Sequence, residues 1–98
     1  MLIEITGDEE MKRLLGIDNG FLLNVDFPTT LLTIHRINCK FCDPESDLGE
    51  KPSKKIQNKS GEFWFSDKYN QIFSKAEEFT AKGFNLSLCK LCNPQRHP

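Results

Sequence analysis

The sequence predicts a small α+β domain: an antiparallel β-hairpin or sheet with one short C-terminal helix and a short N-terminal helix. Three observations carry this expectation. Two apolar, β-branched runs, Phe21 to Val25 and Thr30 to Ile34, flank the turn-like tetrad Asp26-Phe27-Pro28-Thr29, which is the pattern of a hairpin. A third run, Glu62-Phe63-Trp64-Phe65, is aromatic in the way of strands. Between Asp67 and Gly83 the apolar residues instead recur at helical spacing. At 98 residues the chain is one domain's worth, 1–98, and a domain this short has a limited core.

Taken in order, Leu2 to Ile5 reads as a short strand. Asp8 to Leu15 reads as a short helix, with Asp8 as the N-cap and Gly16 as the stop. Residues 1–20 are expected to be an extension ahead of the hairpin. After the hairpin, residues 43–61 (DPESDLGEKPSKKIQNKSG) break all periodicity and predict a long, flexible loop. For the last helix two readings compete. Tyr69, Ile72, Phe73, Ala76 and Phe79 follow a helical period from about Asp67. Ser74 with Glu77 instead forms a capping box and gives a shorter helix, Lys75 to Lys82. The shorter version rests on the more specific signal and is preferred. Gly83 ends either one, and Phe84 to Leu88 leads into Cys89.

The four cysteines form two pairs, Cys39-x-x-Cys42 and Cys89-x-x-Cys92. The segment MLIEITGDEEMKRLL lacks the basic start and apolar stretch of a signal peptide. No run approaches the roughly 20 apolar residues of a membrane span. The expected compartment is therefore cytoplasmic, where thiols stay reduced and such pairs read as metal or redox sites. Two cysteines three apart in a tight turn reach one ion, and a second pair closes the tetrahedron that Zn2+ prefers. The expectation is one Zn2+ per chain, held by Cys39, Cys42, Cys89 and Cys92. The 46 residues between the pairs exceed the usual gap, but a longer loop costs little extra closure entropy. Two disulfides, a thioredoxin-like pair and an iron–sulfur cluster are the competing readings; compartment, absent helix starts and the symmetric pairs argue against them in turn. His35, four residues before Cys39, is an alternative fourth ligand in place of Cys42, or else a strand-end histidine on the surface.

Structural zinc stabilises small folds by about 10–16 kcal/mol, against a net domain stability of about 5–15 kcal/mol. Metal removal is thus expected to cost much of the fold. Four thiolates leave no open coordination position. The sequence also carries no nucleophile–base motif, phosphate loop or general-base helix, so no enzyme is expected.

Net charge is −1, but it is unevenly spread. Residues 1–34 hold two basic and six acidic side chains; residues 35–98 hold eleven basic and eight acidic. Lys51, Lys54, Lys55 and Lys59 form a tract without an acid inside it. This asymmetry admits an anionic partner, and Arg36, Lys40, Lys54, Lys55, Lys90 and Arg96 are the candidate phosphate contacts. The near-neutral total argues against a dedicated nucleic-acid binder.

The order of features from Phe21 onward resembles the zinc-binding domain at the N-terminus of Ada-type DNA-repair regulators and related modules appended to nucleases. The pieces that carry the resemblance are Thr33-Ile34-His35-Arg36-Ile37-Asn38-Cys39, Phe63-Trp64-Phe65, Phe73-Ser74-Lys75-Ala76-Glu77-Glu78, Gly83-Phe84 and Cys89-Lys90-Leu91-Cys92-Asn93-Pro94. They span roughly three-quarters of the chain. The resemblance implies that His35 and Cys39 are the first ligand pair, leaving Cys42 outside it. It also implies DNA as the partner. The family's methyl-accepting cysteine corresponds to His35, so methyl transfer is not carried over. The functional expectation is a small structural-zinc protein that serves as a nucleic-acid-associated, DNA-binding module; the alternative is a protein-interaction module with purely structural zinc.

Overall fold

The computed structural model of the chain describes residues 1–17, 19–37, 39 and 52–89. They form β1 (Leu2–Ile5), α1 (Asp8–Leu15), β2 (Phe21–Asp26), β3 (Leu31–Arg36), α2 (Pro52–Asn58), β4 (Gly61–Ser66), α3 (Tyr69–Thr80) and β5 (Asn85–Leu88). The strands make one sheet in the order β1-β4-β2-β3-β5. All pairs are antiparallel except β3 with β5, which is parallel. The fold is α+β, as the sequence predicts.

The central strand β2 explains the layering. Its residues alternate between the two faces of the sheet, as in any strand, yet Phe21, Leu22, Leu23 and Val25 are all buried. A strand apolar on both sides needs cover on both sides. Phe21, Leu23 and Val25 pack with Leu32, Ile34, Ile72, Ala76 and Phe79, under α3. Leu22 packs with Ile5, Met11, Leu14, Ile37, Phe63 and Phe65, under α1. Each fully buried Leu, Ile or Phe contributes about 1.5–3 kcal/mol, so both layers matter to stability.

Residues 1–20 are therefore not an appendage. Leu2 to Ile5 pair residue by residue with Ser66 to Phe63, and α1 buries Met11 and Leu14. Gly7, not Asp8, is the N-cap of α1. Asp8 is used elsewhere: its carboxylate accepts hydrogen bonds from the Ser53 amide (2.9 Å) and hydroxyl (2.7 Å). Those bonds tie α1 to α2.

Helix α2 corrects the expectation of a loop over 43–61. Residues 43–51 lie outside the described residues, but 52–58 are helical and Gly61 opens β4. Pro52 occupies the first helical position, where its missing N–H costs nothing. Lys55 then anchors the helix. It is only 2% exposed, and its ammonium donates to Asn24 Oδ1 (2.5 Å) and to the Val25 carbonyl (2.8 Å). Asp26 Oδ1 lies 3.9 Å away and the Phe63 ring centroid 5.0 Å away. A lysine is almost never buried without such partners. Glycine at 61 permits the approach, because a Cβ there would stand 1.9 Å from the Val25 carbonyl oxygen and 2.9 Å from Lys55 Nζ.

The last helix is the longer of the two predicted versions. It starts at Tyr69, and Ser74 is an exposed residue inside it. The reason is burial. Ile72, Ala76 and Phe79 lie on one stripe, and all three are buried, so stopping short of Ile72 would forfeit a core side chain. Gly83 ends the helix as expected, at φ +99°, with the Phe84 amide donating back to the Phe79 carbonyl at 3.2 Å. That is the long bond of a Schellman stop.

Two substitutions test the α2 anchor. Gly61→Ala should destabilise the chain by about 2–3 kcal/mol through overpacking. Lys55→Met should cost about 1–3 kcal/mol by leaving buried acceptors unsatisfied. Urea unfolding reads both; a Gly61→Ala protein as stable as the parent would mean that the β2–β4 approach is looser than described.

Candidate metal centre

The site lies where β3 and β5 end together. Their parallel register closes with Ile34 opposite Leu88. One step further, the Cys89 amide donates to the Ile34 carbonyl at 3.0 Å, which sets Cys89 beside His35. Ile34 faces α3, so its neighbour His35 faces the other layer.

Cys39 arrives by a turn. The Ile37 amide donates to the Gly20 carbonyl and the Cys39 amide to the Arg36 carbonyl, each at 2.9 Å. The first bond carries the β2–β3 pairing one step further, and the second closes a turn between Arg36 and Cys39. Gly20 matters to this turn. Its φ is +140°, and a Cβ there would fall 2.6 Å from a Phe65 ring carbon. Sequence reasoning missed Gly20. A lone glycine before a strand gives no signal of the aromatic ring against it.

The result is a compact group. One ligand atom from each of His35, Cys39 and Cys89 lies within 4.8 Å of the other two, and all three residues are buried. The two sulfurs are 3.9 Å apart. A tetrahedral ion with zinc–sulfur bonds of about 2.3 Å separates two thiolates by about 3.8 Å. The observed spacing matches the edge of such a tetrahedron; a disulfide would need about 2.05 Å. In the absence of an ion, the same distance suits a thiol–thiol hydrogen bond.

The electrostatics suit a metal as well. Cys39 and Cys89 belong to the apolar cluster of Ile5, Met11, Leu14, Leu22, Ile37, Phe63 and Phe65. Burial pushes the His35 pKa down from 6.5 to about 4, because a charged imidazolium loses its hydration there. At neutral pH the ring is neutral, the form that coordinates metals. Imidazole nitrogen with thiolate sulfur is a donor set suited to zinc and other late first-row ions. The group could hold a metal ion.

Among the sequence-predicted ligands, Cys39 and Cys89 meet here, whereas Cys42 and Cys92 lie outside the described residues. His35 is not a surface histidine: it is 6% exposed and part of the site. Of the candidate phosphate contacts, Lys40, Lys90 and Arg96 lie outside the described residues. Lys54 is exposed and Arg36 half-buried. Lys55 leaves the set, since its ammonium is buried against Asn24 and Val25.

Comparison with protein-family models, with curated proteins and with solved structures finds no match for this chain. Fold and site therefore define it by themselves: a small α+β domain with a buried His/Cys/Cys group at one end of its sheet. No helix among the described residues is long and apolar enough to cross a membrane.

The histidine gives a pH signature. Its depressed pKa means that the unfolded chain binds a proton that the folded chain refuses. The stability this represents is complete above pH 6.5 and drains away as pH falls toward 4, amounting to about 3 kcal/mol. Chemical denaturation of metal-stripped protein across that window, compared with His35→Gln, should show a steeper acid loss in the parent. Parallel curves would remove the buried neutral imidazole.

Proposed function

We propose that the chain is a zinc-binding domain, with one structural ion per chain, that associates with nucleic acid. The carrying observation is the 3.9 Å spacing of Cys39 and Cys89 Sγ with His35 alongside. His35, Cys39 and Cys89 supply three donors. Cys92, in the same Cys-x-x-Cys pair as Cys89, supplies the fourth, and Cys42 becomes a surplus thiol. The ion is structural because four protein donors fill a zinc tetrahedron and because the group is buried. Thiolate ligands call for a reducing compartment, in keeping with the cytoplasm.

Nucleic acid, and DNA in particular, is favoured by where the cations fall. Arg36 closes the strand that carries His35, and Lys40 and Lys90 adjoin the ligand cysteines in sequence. Lys54 is exposed on α2, and Arg96 follows the second pair. Four or five such contacts make a modest, salt-sensitive phosphate surface. The Ada-like order of motifs points the same way. With His35 spent on the metal, the domain binds without accepting a methyl group.

A protein-interaction module is the second reading. Phe27 and Leu31 are 37% and 46% exposed at one end of the hairpin, with Phe84 packed edge-on to Phe27. An apolar contact of that kind would be insensitive to salt.

Elemental analysis of protein purified without added metal should find one zinc per chain in the parent and in Cys42→Ser. His35→Ala and Cys89→Ser should lose most of it. Zinc retained by His35→Ala and lost by Cys42→Ser would restore the four-cysteine site. On duplex DNA, the double reversal Lys54→Glu with Lys90→Glu should weaken binding uniformly across sequences and flatten the salt dependence. Binding that ignores salt, or no binding at all, would favour the interaction module.

A further inference from the structure

The spacing that suits a metal also leaves a second chemical closure within reach. Cys39 and Cys89 are separated by fifty positions in the chain, yet their sulfurs stand 3.9 Å apart. A disulfide of about 2.05 Å asks the two sulfurs to close from that distance. Cys39 sits in the turn after β3, not within the ladder, so its backbone is the part of the site best able to give. Cys89 is one residue past the last paired position of β5. Ladder ends open locally at low free-energy cost, and a small oxidant gains access there. Both cysteines are buried, 5% and 7% exposed, which shields an oxidised cysteine from outside thiols and favours capture by its neighbour.

We propose that Cys39 and Cys89 form a peroxide-responsive pair, in which a metal bridge and a disulfide are alternative closures of the same sheet end. One thiolate attacks the O–O bond of a hydroperoxide. That bond breaks, an alcohol or water leaves, and a sulfenic acid forms. The second thiolate attacks the sulfenic sulfur, the S–O bond breaks, and hydroxide departs as water after taking a proton. In sum, two thiolates, one hydroperoxide and two protons give one disulfide, one alcohol (or water) and one water. The sulfurs lose two electrons and the peroxide gains them. A metal held there would lose two donors and leave as the hydrated ion. The β3–β5 end stays cross-linked, and His35 would be released from coordination. The inference deepens the metal-site reading and rests on it only for the release of metal; the pairing of the two sulfurs stands without it.

The test treats metal-loaded and metal-stripped full chain with hydrogen peroxide, blocks remaining thiols by alkylation, and maps disulfides by peptide mass spectrometry without reduction. The expected result is a Cys39–Cys89 link in both preparations. One metal ion should be lost per link, as read with a chromophoric chelator, and thiol reductant with added zinc should restore binding. Because Cys39→Ser alters a core residue, Cys42→Ser is the companion variant, and it should form the same link. Links within the pairs, Cys39–Cys42 or Cys89–Cys92, or links between chains would overturn the inference. So would metal loss without a Cys39–Cys89 link. A preparation that never held metal yet forms the link would keep this inference and overturn the zinc reading.

Discussion

The parallel pairing of β3 with β5 is the constraint on which the site depends. Strand β3 belongs to the early hairpin, and β5 comes after α3, near the far end of the sequence. Only their side-by-side register sets Cys89 next to His35. A parallel neighbour requires a crossover between the two strands, and the chain between β3 and β5 supplies it with α2, β4 and α3. The crossing helix α3 buries Ile72, Ala76 and Phe79 against the face opposite the cysteines. The apolar layer under α3 thus fixes the position of a site on the other side of the sheet.

This arrangement divides the work of stability. The two apolar layers hold the sheet through side chains on both faces of β2. A metal would clamp one end of the ladder, where the outer strand β5 pairs through only four residues. Without such a clamp β5 would loosen first, and the β1–β4–β2 pairing would keep its own support. At the opposite end of β2 the buried ammonium of Lys55 plays the clamping part. It pins a helix to β2 through Asn24 and Val25, in a space that glycine at 61 leaves open.

Local chemistry was legible in the residues. The hairpin, β1, α1, the aromatic strand and the Gly83 stop all follow from short-range patterns, and each is present. What was hidden depends on distant partners. Helix α2 looked like loop because its charged, Pro- and Ser-containing segment has no apolar stripe. It is held instead by Asp8 and by the buried ammonium of Lys55, neither of which periodicity reveals. The start of α3 departs from the capping signal at Ser74 because the worth of Ile72 comes from its packing with β2 and β3. His35 was ambiguous for the same reason. Spacing placed it near Cys39, and only the return of β5 makes it part of a three-residue group. The parallel strand pair itself leaves no mark on the sequence, since pairing partners are chosen in three dimensions.

The central claim is that His35 joins Cys39 and Cys89 at a metal. X-ray absorption at the zinc K-edge on protein purified without added metal tests it most directly, because the fine structure counts sulfur and nitrogen neighbours. The account predicts about three sulfurs at roughly 2.3 Å and one imidazole nitrogen at roughly 2.0 Å, with the imidazole scattering lost in His35→Ala. A shell of four sulfurs, or protein that carries no metal, would contradict it.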